Sequence, residues 1–309
     1  MRRCRPLEHT SHLDELFRRR SAPIVSGGEK LEQHMRLRIV TINVQNNEGD
    51  PGRPGLLNAE LRRLAPDVVA LQEVVDDEHL GTLLEGTGLH GTHQSAAMAY
   101  APPFADRYGG NAVATRWPHH VAEVLDPRVA GAKDVPWCTV AVKVPVPGEG
   151  DVLFISATAS WRLDAEAVRE QQAVALSDLD ARHRTDLPTI IAGDFNAEPD
   201  AASIRYLTGR QSISGRSVHY HDAWAVAGDG PGHTWSDENA NAAALFDQIV
   251  RQPGHRRRLD YVFIGSWHAH PKARCEIRSA NLAFDQPTDG VWPSDHYGVV
   301  VDVEIGKDR

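Results

Sequence analysis

Five apolar runs in this chain end on, or are broken by, side chains that cost free energy to bury unless something answers them. They carry Asn43, Glu73, Asp194 with Asn196, Asp260, and Asp295 with His296. Each has a structural reading when taken alone. Asn43 can cap a turn, Glu73 can open a helix where a carboxylate suits the positive end of the dipole, and Gly193-Asp194-Phe195-Asn196 can be an Asx turn. Taken together, on one rim, they suggest hydrolysis of a phosphate ester. A carboxylate such as Glu73 beside an amide such as Asn43 offers hard oxygen ligands to Mg²⁺, with Mn²⁺ as the alternative. Such a cation polarises a phosphoryl oxygen and neutralises developing charge. Asp194 is placed to orient or deprotonate the attacking water, and Asn196 to donate a hydrogen bond to the pentacovalent oxygens. Asp260 is the acid that would hold His296 in one tautomer. His296, protonated, would bind a non-bridging oxygen or assist the leaving group.

The elements that must position these groups follow from periodicity. Arg36–Val44 alternates polar and apolar residues as a half-buried strand does, and Leu56–Leu64 has helical spacing stopped by Pro66. Asp67–Leu71 is a β-branched run ending at Gln72-Glu73, and Asp76–Leu84 reads as a helix. Leu89–Tyr108 reads as loop. Short strands are expected at 111–115 and 121–125, and a hairpin at 139–144 with 152–156. Leu163–Ala181 is the longest helical pattern, and the buried run 189–192 leads into Asp194. The polar, Gly-rich stretch 209–257 predicts a helix near Asp222–Val226 and rim loops. Strands at 258–264, 273–280 and 297–303 end the pattern. Two sheets packed face to face with helices outside account for this order, and a sandwich gathers its loops at its ends.

The same stretches resemble the endonuclease/exonuclease/phosphatase superfamily, the DNase I-like group. The resemblance rests on Thr41-Ile42-Asn43-Val44-Gln45, Leu71-Gln72-Glu73-Val74, Tyr108-Gly109-Gly110-Asn111-Ala112-Val113, Ala192-Gly193-Asp194-Phe195-Asn196-Ala197, Arg258-Leu259-Asp260-Tyr261-Val262-Phe263 and Ser294-Asp295-His296-Tyr297, in the family's order. It implies a four-layer α/β sandwich and a metal-dependent hydrolase of phosphodiester type. It also implies that the Asn43 and Glu73 positions serve the metal, with Asp295 near metal or water. The Asp194 and Asn196 positions would serve water and transition state, and Asp260 and His296 would form a pair.

One position departs from the family. A histidine is usual at the end of the hairpin strand, yet no histidine occurs from Val121 to Arg182. Anchoring on Ser160-Trp161 puts Thr158 there, and a shift of one residue puts Ala159 there. A threonine hydroxyl donates one hydrogen bond but is no acid near neutral pH. Three readings follow: a substrate whose leaving group needs no acid, a substitute histidine from the rim (His219, His221 or His233), or a degenerate or repurposed site that binds a ligand or serves biosynthesis.

Composition narrows the partners. The net charge of −9 argues against a dedicated duplex-DNA binder, because counterion release favours a basic surface. A small or lipid-like phosphodiester is therefore expected ahead of nucleic acid, with a Mg²⁺-dependent nuclease as the alternative. The one basic run, His255-Arg256-Arg257-Arg258, reads as a solvated loop or a phosphate-contacting patch. Trp137, Trp161, Trp224, Trp235 and Trp292 read mainly as packing, with Trp292 the best candidate for an aromatic wall. Three scattered cysteines, no secretory signal and no apolar run long enough to span a bilayer lead us to expect a cytoplasmic protein. Residues 1–34 read as an extension and 35–309 as the domain; oligomeric state is left open.

Overall fold

The structure, a computed structural model, describes residues 35–97, 109–132 and 137–307. The N-terminal extension and Tyr108 lie outside the described residues.

The described chain opens with β1 (Met35–Asn43), a helix over Arg53–Leu64, and β2 (Val68–Val74). That helix holds Pro54 in its first turn, where no N–H is needed, and buries Leu57, Leu61 and Leu64 at helical spacing. The helix Asp77–Leu84 starts where the Asp76 side chain accepts from His79 N. β3 (His90–His93), a short helix Gln94–Ala97, β4 (Gly110–Thr115) and β5 (His120–Leu125) follow. The hairpin β6 (Thr139–Val146) and β7 (Gly150–Thr158) precedes the long helix Glu166–His183 and β8 (Ile190–Asp194). The remaining strands are β9 (Tyr220–Asp222), β10 (Trp235–Ser236), β11 (Arg256–Arg257), β12 (Asp260–Gly265), β13 (Ala273–Ala283) and β14 (Gly298–Lys307). Short helices at Ala202–Leu207, Ala223–Ala227 and Ala240–Leu245 lie among them.

Two six-stranded sheets result, in the orders β13-β14-β1-β2-β4-β3 and β5-β6-β7-β8-β12-β9. Each holds one parallel pair near its middle, β1 with β2 and β7 with β8. Their other pairings are antiparallel. The facing sheets bury Leu37, Ile39, Val301 and Val303 against Val142, Phe154, Ile190 and Val262. Helices Arg53–Leu64 and Asp77–Leu84 cover the back of the first sheet, and Glu166–His183 with Ala202–Leu207 cover the back of the second. This is the expected four-layer sandwich.

The loop expected over 89–108 is corrected in part. His90-Gly91-Thr92-His93 forms an edge strand against β4, held by backbone bonds although it has no apolar alternation to announce it. The rim stretch 209–257 holds the expected helix at Ala223–Ala227 and is otherwise built from β9, β10, β11, Ala240–Leu245 and one π turn, Phe246–Val250.

Candidate active site

Alternation along the strands delivers most of the site. On the inner faces, Leu37 and Ile39 lead to Asn43, Phe154 to Thr158, and Ile190 and Ala192 to Asp194, while Asp260 starts the row that continues through Val262 and Ile264. The parallel pairs end, and β12 begins, at one edge. Asp194 stands in register with both Thr158 and Asp260. The inner face turns polar as it nears that edge, where Thr41 Oγ1 donates to Gln72 Oε1 at 3.3 Å.

Glu73 is the exception. Strict alternation would put it on the helix side with Val69 and Leu71. The register against β4 shifts between Leu71 and Val74, and Glu73 takes a left-handed backbone at φ 59°. A bulge of this kind re-aims a side chain, at a strain of order 1–3 kcal/mol. Gln45, Asn46 and Asn196 share the left-handed region at φ 55°, 39° and 50°, so strain gathers around this edge.

The side chains then meet. Asn43 Nδ2 donates to Glu73 Oε1 at 3.0 Å and to Asp194 Oδ2 at 3.2 Å. Asn196 donates its backbone N–H to Asp194 Oδ1 at 2.9 Å, and its Nδ2 to Asp194 Oδ2 at 3.2 Å and Ala159 O at 3.1 Å. His296 Nδ1 lies 2.9 Å from Asp260 Oδ2, and its Nε2 lies 4.0 Å from Asp194 Oδ2. Ser294 Oγ donates to Asn43 O at 2.5 Å and lies 3.3 Å from Asp295 Oδ1, which pins the last motif to the end of β1.

Charge is concentrated here. Burial, and then the Asp295 carboxylate, push Glu73 up to about 8, although it keeps partial exposure. Burial also raises Asp194 to about 6, against the pull of His296. Burial works to lower the proton affinity of His296, but Asp260, Asp194 and Asp295 outweigh it and hold the ring well above its ordinary value. His296, set between two carboxylates, is thereby favoured in its protonated form.

Among the described residues, two groupings at this edge could take a cation. Ligand atoms of Asp194, Asp260 and His296 lie within 4.8 Å of one another. That trio is answered internally, because a protonated His296 offsets the acids it faces. Among the described residues no cation forms an ion pair with Glu73 or Asp295, and burial first, then Asp295, penalises the charged form of Glu73. Carboxylate and amide oxygens are the donor set a hard divalent ion takes. The carboxylates of Glu73 and Asp295 fit such an ion, whereas Asn43 turns Nδ2 to Glu73 and gives Oδ1 to Gln45 N, and would ligate only with its amide turned over.

Thr158 Oγ1 donates to Asn111 Oδ1 at 2.7 Å, and Asn111 Nδ2 donates to Cys138 O at 2.9 Å. The threonine, and not Ala159, ends the inner-face row of β7. Two rim histidines are excluded as substitutes for an acid there. His221 stands opposite Ile264, four residues beyond Asp260, roughly 13 Å along the strand, with His219 beyond it and its ring against that of His221 at 4.9 Å. The basic run is also spent: Arg256 pairs with Glu238, Arg257 reaches Glu198 at 3.6 Å, and Arg258 grips Asp222 in a buried bidentate pair. Arg257 and Arg258 are thus buried and structural, while Arg256 keeps an exposed head beside Glu238.

Of the tryptophans, Trp224 sits in the inter-sheet core and Trp137 packs with Ala132. Trp235 stacks on Phe246 at 4.0 Å beside His296, Trp292 stacks on Tyr297 at 5.7 Å, and Trp161 is 40% exposed. Sequence reasoning gave no role to several groups that hold the site. Thr234 Oγ1 accepts from Leu259 N and Asp260 N, while its carbonyl accepts from Tyr297 N, so one residue ties both halves of the Asp260–His296 pair. Arg53 was missed outright, and Asn111 stood in the Tyr108–Val113 motif with no role given to it.

Comparison with known proteins agrees with this geometry. Residues 40–296 match the model of the Endonuclease/Exonuclease/phosphatase family. The chain is 26% identical to protein angel of Drosophila melanogaster over 211 residues, 64% of this chain and 58% of that protein. It thus spans little more than half the length of this curated relative. Among solved structures it is similar to D. rerio TDP2 complexed with single strand DNA product, with a TM-score of 0.65 and 18% identity over 87% of this chain and 99% of that one. It is also similar to the human Nocturnin catalytic domain with bound sulfate anion, with a TM-score of 0.58 and 19% identity over 87% of this chain and 94% of that one.

Proposed function

The chain belongs to the endonuclease/exonuclease/phosphatase family, a family of phosphoric ester hydrolases, and from that premise we propose a divalent-metal-dependent phosphodiesterase. The observation that carries the reading is the buried His296–Asp260 pair facing Asp194 at 4.0 Å, beside the neighbouring carboxylates of Glu73 and Asp295. Asn43, Glu73 and Asp295 would hold the ion. When bound, it supplies polarisation of a phosphoryl oxygen and offsets charge in the transition state.

The protein's own residues do the rest. Asp194, fixed by three donors from Asn43 and Asn196, accepts a proton from the water that attacks phosphorus. Asn196 orients that carboxylate in the resting state, since its amide is spent on Asp194 and Ala159 O. The His296 imidazolium, held by Asp260, stabilises a non-bridging oxygen as charge develops. The P–O bond to the leaving group then breaks. Thr158, whose hydroxyl is committed to Asn111, supplies no proton to the departing oxygen. The reading therefore favours leaving groups that depart without a protein acid.

On substrate, the net charge of −9 and the paired arginines at 256–258 favour a small or lipid-like phosphodiester. A second reading, a nuclease acting on single strands, is favoured by the likeness to TDP2 complexed with single strand DNA product. The test is a panel of bis-p-nitrophenyl phosphate, sphingomyelin, single-stranded DNA and abasic duplex DNA with Mg²⁺, Mn²⁺ or chelator. Hydrolysis that needs the metal and is abolished in Glu73→Ala and Asp194→Ala supports the reading. Hydrolysis untouched by both substitutions refutes it.

A further inference from the structure

Arg53 is 1% exposed, one of the largest fully buried side chains in the described chain. A buried guanidinium ordinarily meets a carboxylate. This one meets carbonyls: it donates to Val44 O, to Gln45 O at 3.0 Å and to Glu48 O at 2.8 Å. All three belong to the loop that leaves Asn43. Gln45 and Asn46 in that loop are consecutive left-handed residues without glycine, a conformation that persists only when neighbours over-determine it. The planar five-donor fork of arginine suits that task, since it reaches several carbonyls at once.

The loop in turn touches the site at several points. Gln45 N donates to Asn43 Oδ1 at 2.9 Å, which sets the face of the amide that Asn43 shows to Glu73 and Asp194. Asn46 Nδ2 lies 3.5 Å from Glu73 Oε2. Gln45 Oε1 accepts from Asn241 Nδ2, across to the helix Ala240–Leu245. The positive charge of Arg53 also lies within electrostatic reach of Asp295 and Glu73, although it contacts neither.

We propose that Arg53 is a positioning residue for the metal corner, acting through the Val44–Glu48 loop on Asn43 and Glu73; this rests on the reading of Asn43, Glu73 and Asp295 as metal ligands. The competing account is that Arg53 only satisfies carbonyls under a helix start. The two differ in what they expect of metal binding by folded protein.

The experiment is calorimetric titration of Mg²⁺ and Mn²⁺ into wild type, Arg53→Lys, Asn46→Ala and the double variant, with circular dichroism and thermal unfolding on each. Lysine keeps the charge and loses the fork. Each single substitution is expected to weaken Mg²⁺ binding about tenfold in protein that is still folded. The double variant is expected to fall within about threefold of the weaker single one, because both changes release the same loop. An Arg53→Lys protein that folds and binds Mg²⁺ within twofold of wild type overturns the proposal, and so does a double variant showing the full product of the single effects. If Arg53→Lys does not fold, Asn46→Ala decides alone: unchanged binding there overturns the proposal. Wild type that binds neither ion refutes the metal reading itself, a result distinct from the failure of Arg53's part in it.

Discussion

Replacing Glu73 with glutamine should stabilise the metal-free protein while abolishing its metal response. Glu73 is held at about 8 against an ordinary 4.5, so the folded state keeps its proton over a window in which the unfolded chain has released it. The folded form binds more protons there, and stability falls as pH rises from about 4.5 to about 8, then levels. At pH 7 some 2.5 units of that window have been crossed, which at 1.36 kcal/mol per unit is about 3 kcal/mol. This is an upper figure, since Glu73 keeps partial exposure and water screens it. Glutamine keeps the shape and can still meet Asn43 without carrying charge. For a domain of this size, about 2 °C per kcal/mol gives a rise in Tm of roughly 5 °C at pH 7 and almost none at pH 4.5. Asp194 and His296 contribute slopes of the same sign, so the quantity to measure is the difference between variant and wild type. The assay is thermal unfolding from pH 4.5 to 8 in EDTA, repeated with excess Mg²⁺. Magnesium should raise Tm of the wild type and leave Glu73→Gln unmoved. A variant no more stable than wild type across the whole range would refute the claim that this carboxylate is strained by its surroundings.

Other expectations follow from the same geometry. Asp260→Asn removes the charge beside His296 Nδ1 and should lower kcat/KM by about 10²–10⁴-fold with circular dichroism unchanged; a loss under threefold would deny the pair its role. Wild-type rates on a series of aryl and alkyl phosphodiesters should fall steeply as the leaving group becomes more basic, and Thr158→His should flatten that dependence; a slope equal in both proteins would exclude a missing acid at this position. Gly193→Ala would place a methyl 1.8 Å from Ala157 O in a backbone at φ 155°, and should yield insoluble protein or lose more than about 4 kcal/mol in urea titration. Gly55→Ala, in an exposed helical turn with open space around it, should instead gain up to about 1 kcal/mol.

Much of the arrangement was legible because its cause is periodic. Strands whose alternate residues are apolar announce both a sheet and the side on which its last residue will face, so Asn43, Asp194 and Asp260 could be read as convergent before any coordinates. Glu73 could be named but not aimed, because its direction depends on a bulge and a left-handed backbone that alternation does not encode. The holders of the site were harder still. Arg53 occupies the start of a helix and looks like a surface charge, and Thr234 looks like one hydroxyl in a polar rim; their roles come from backbone atoms distant in sequence. β3 was invisible because its four residues contribute pairing and almost no apolar surface. The fate of the arginine run at 256–258 depended on Glu198, Asp222 and Glu238, partners that only the folded chain brings near.

The antiparallel pairing of β1 with β14 joins the start of the domain to its end, from Met35 opposite Ile305 to Thr41 opposite Val299. During synthesis, β1 leaves the ribosome with one edge destined for β2 and the other without a partner for about 255 further residues, which at roughly 5–20 residues per second is about 13–50 s. Through that interval a β-branched strand stands with a bare edge, and Asn43 waits for the segment that brings Ser294, Asp295 and His296. Nascent chains stalled before residue 298 should therefore recruit chaperones and show no activity, and release of the last strand should restore both sheet and site in a single step.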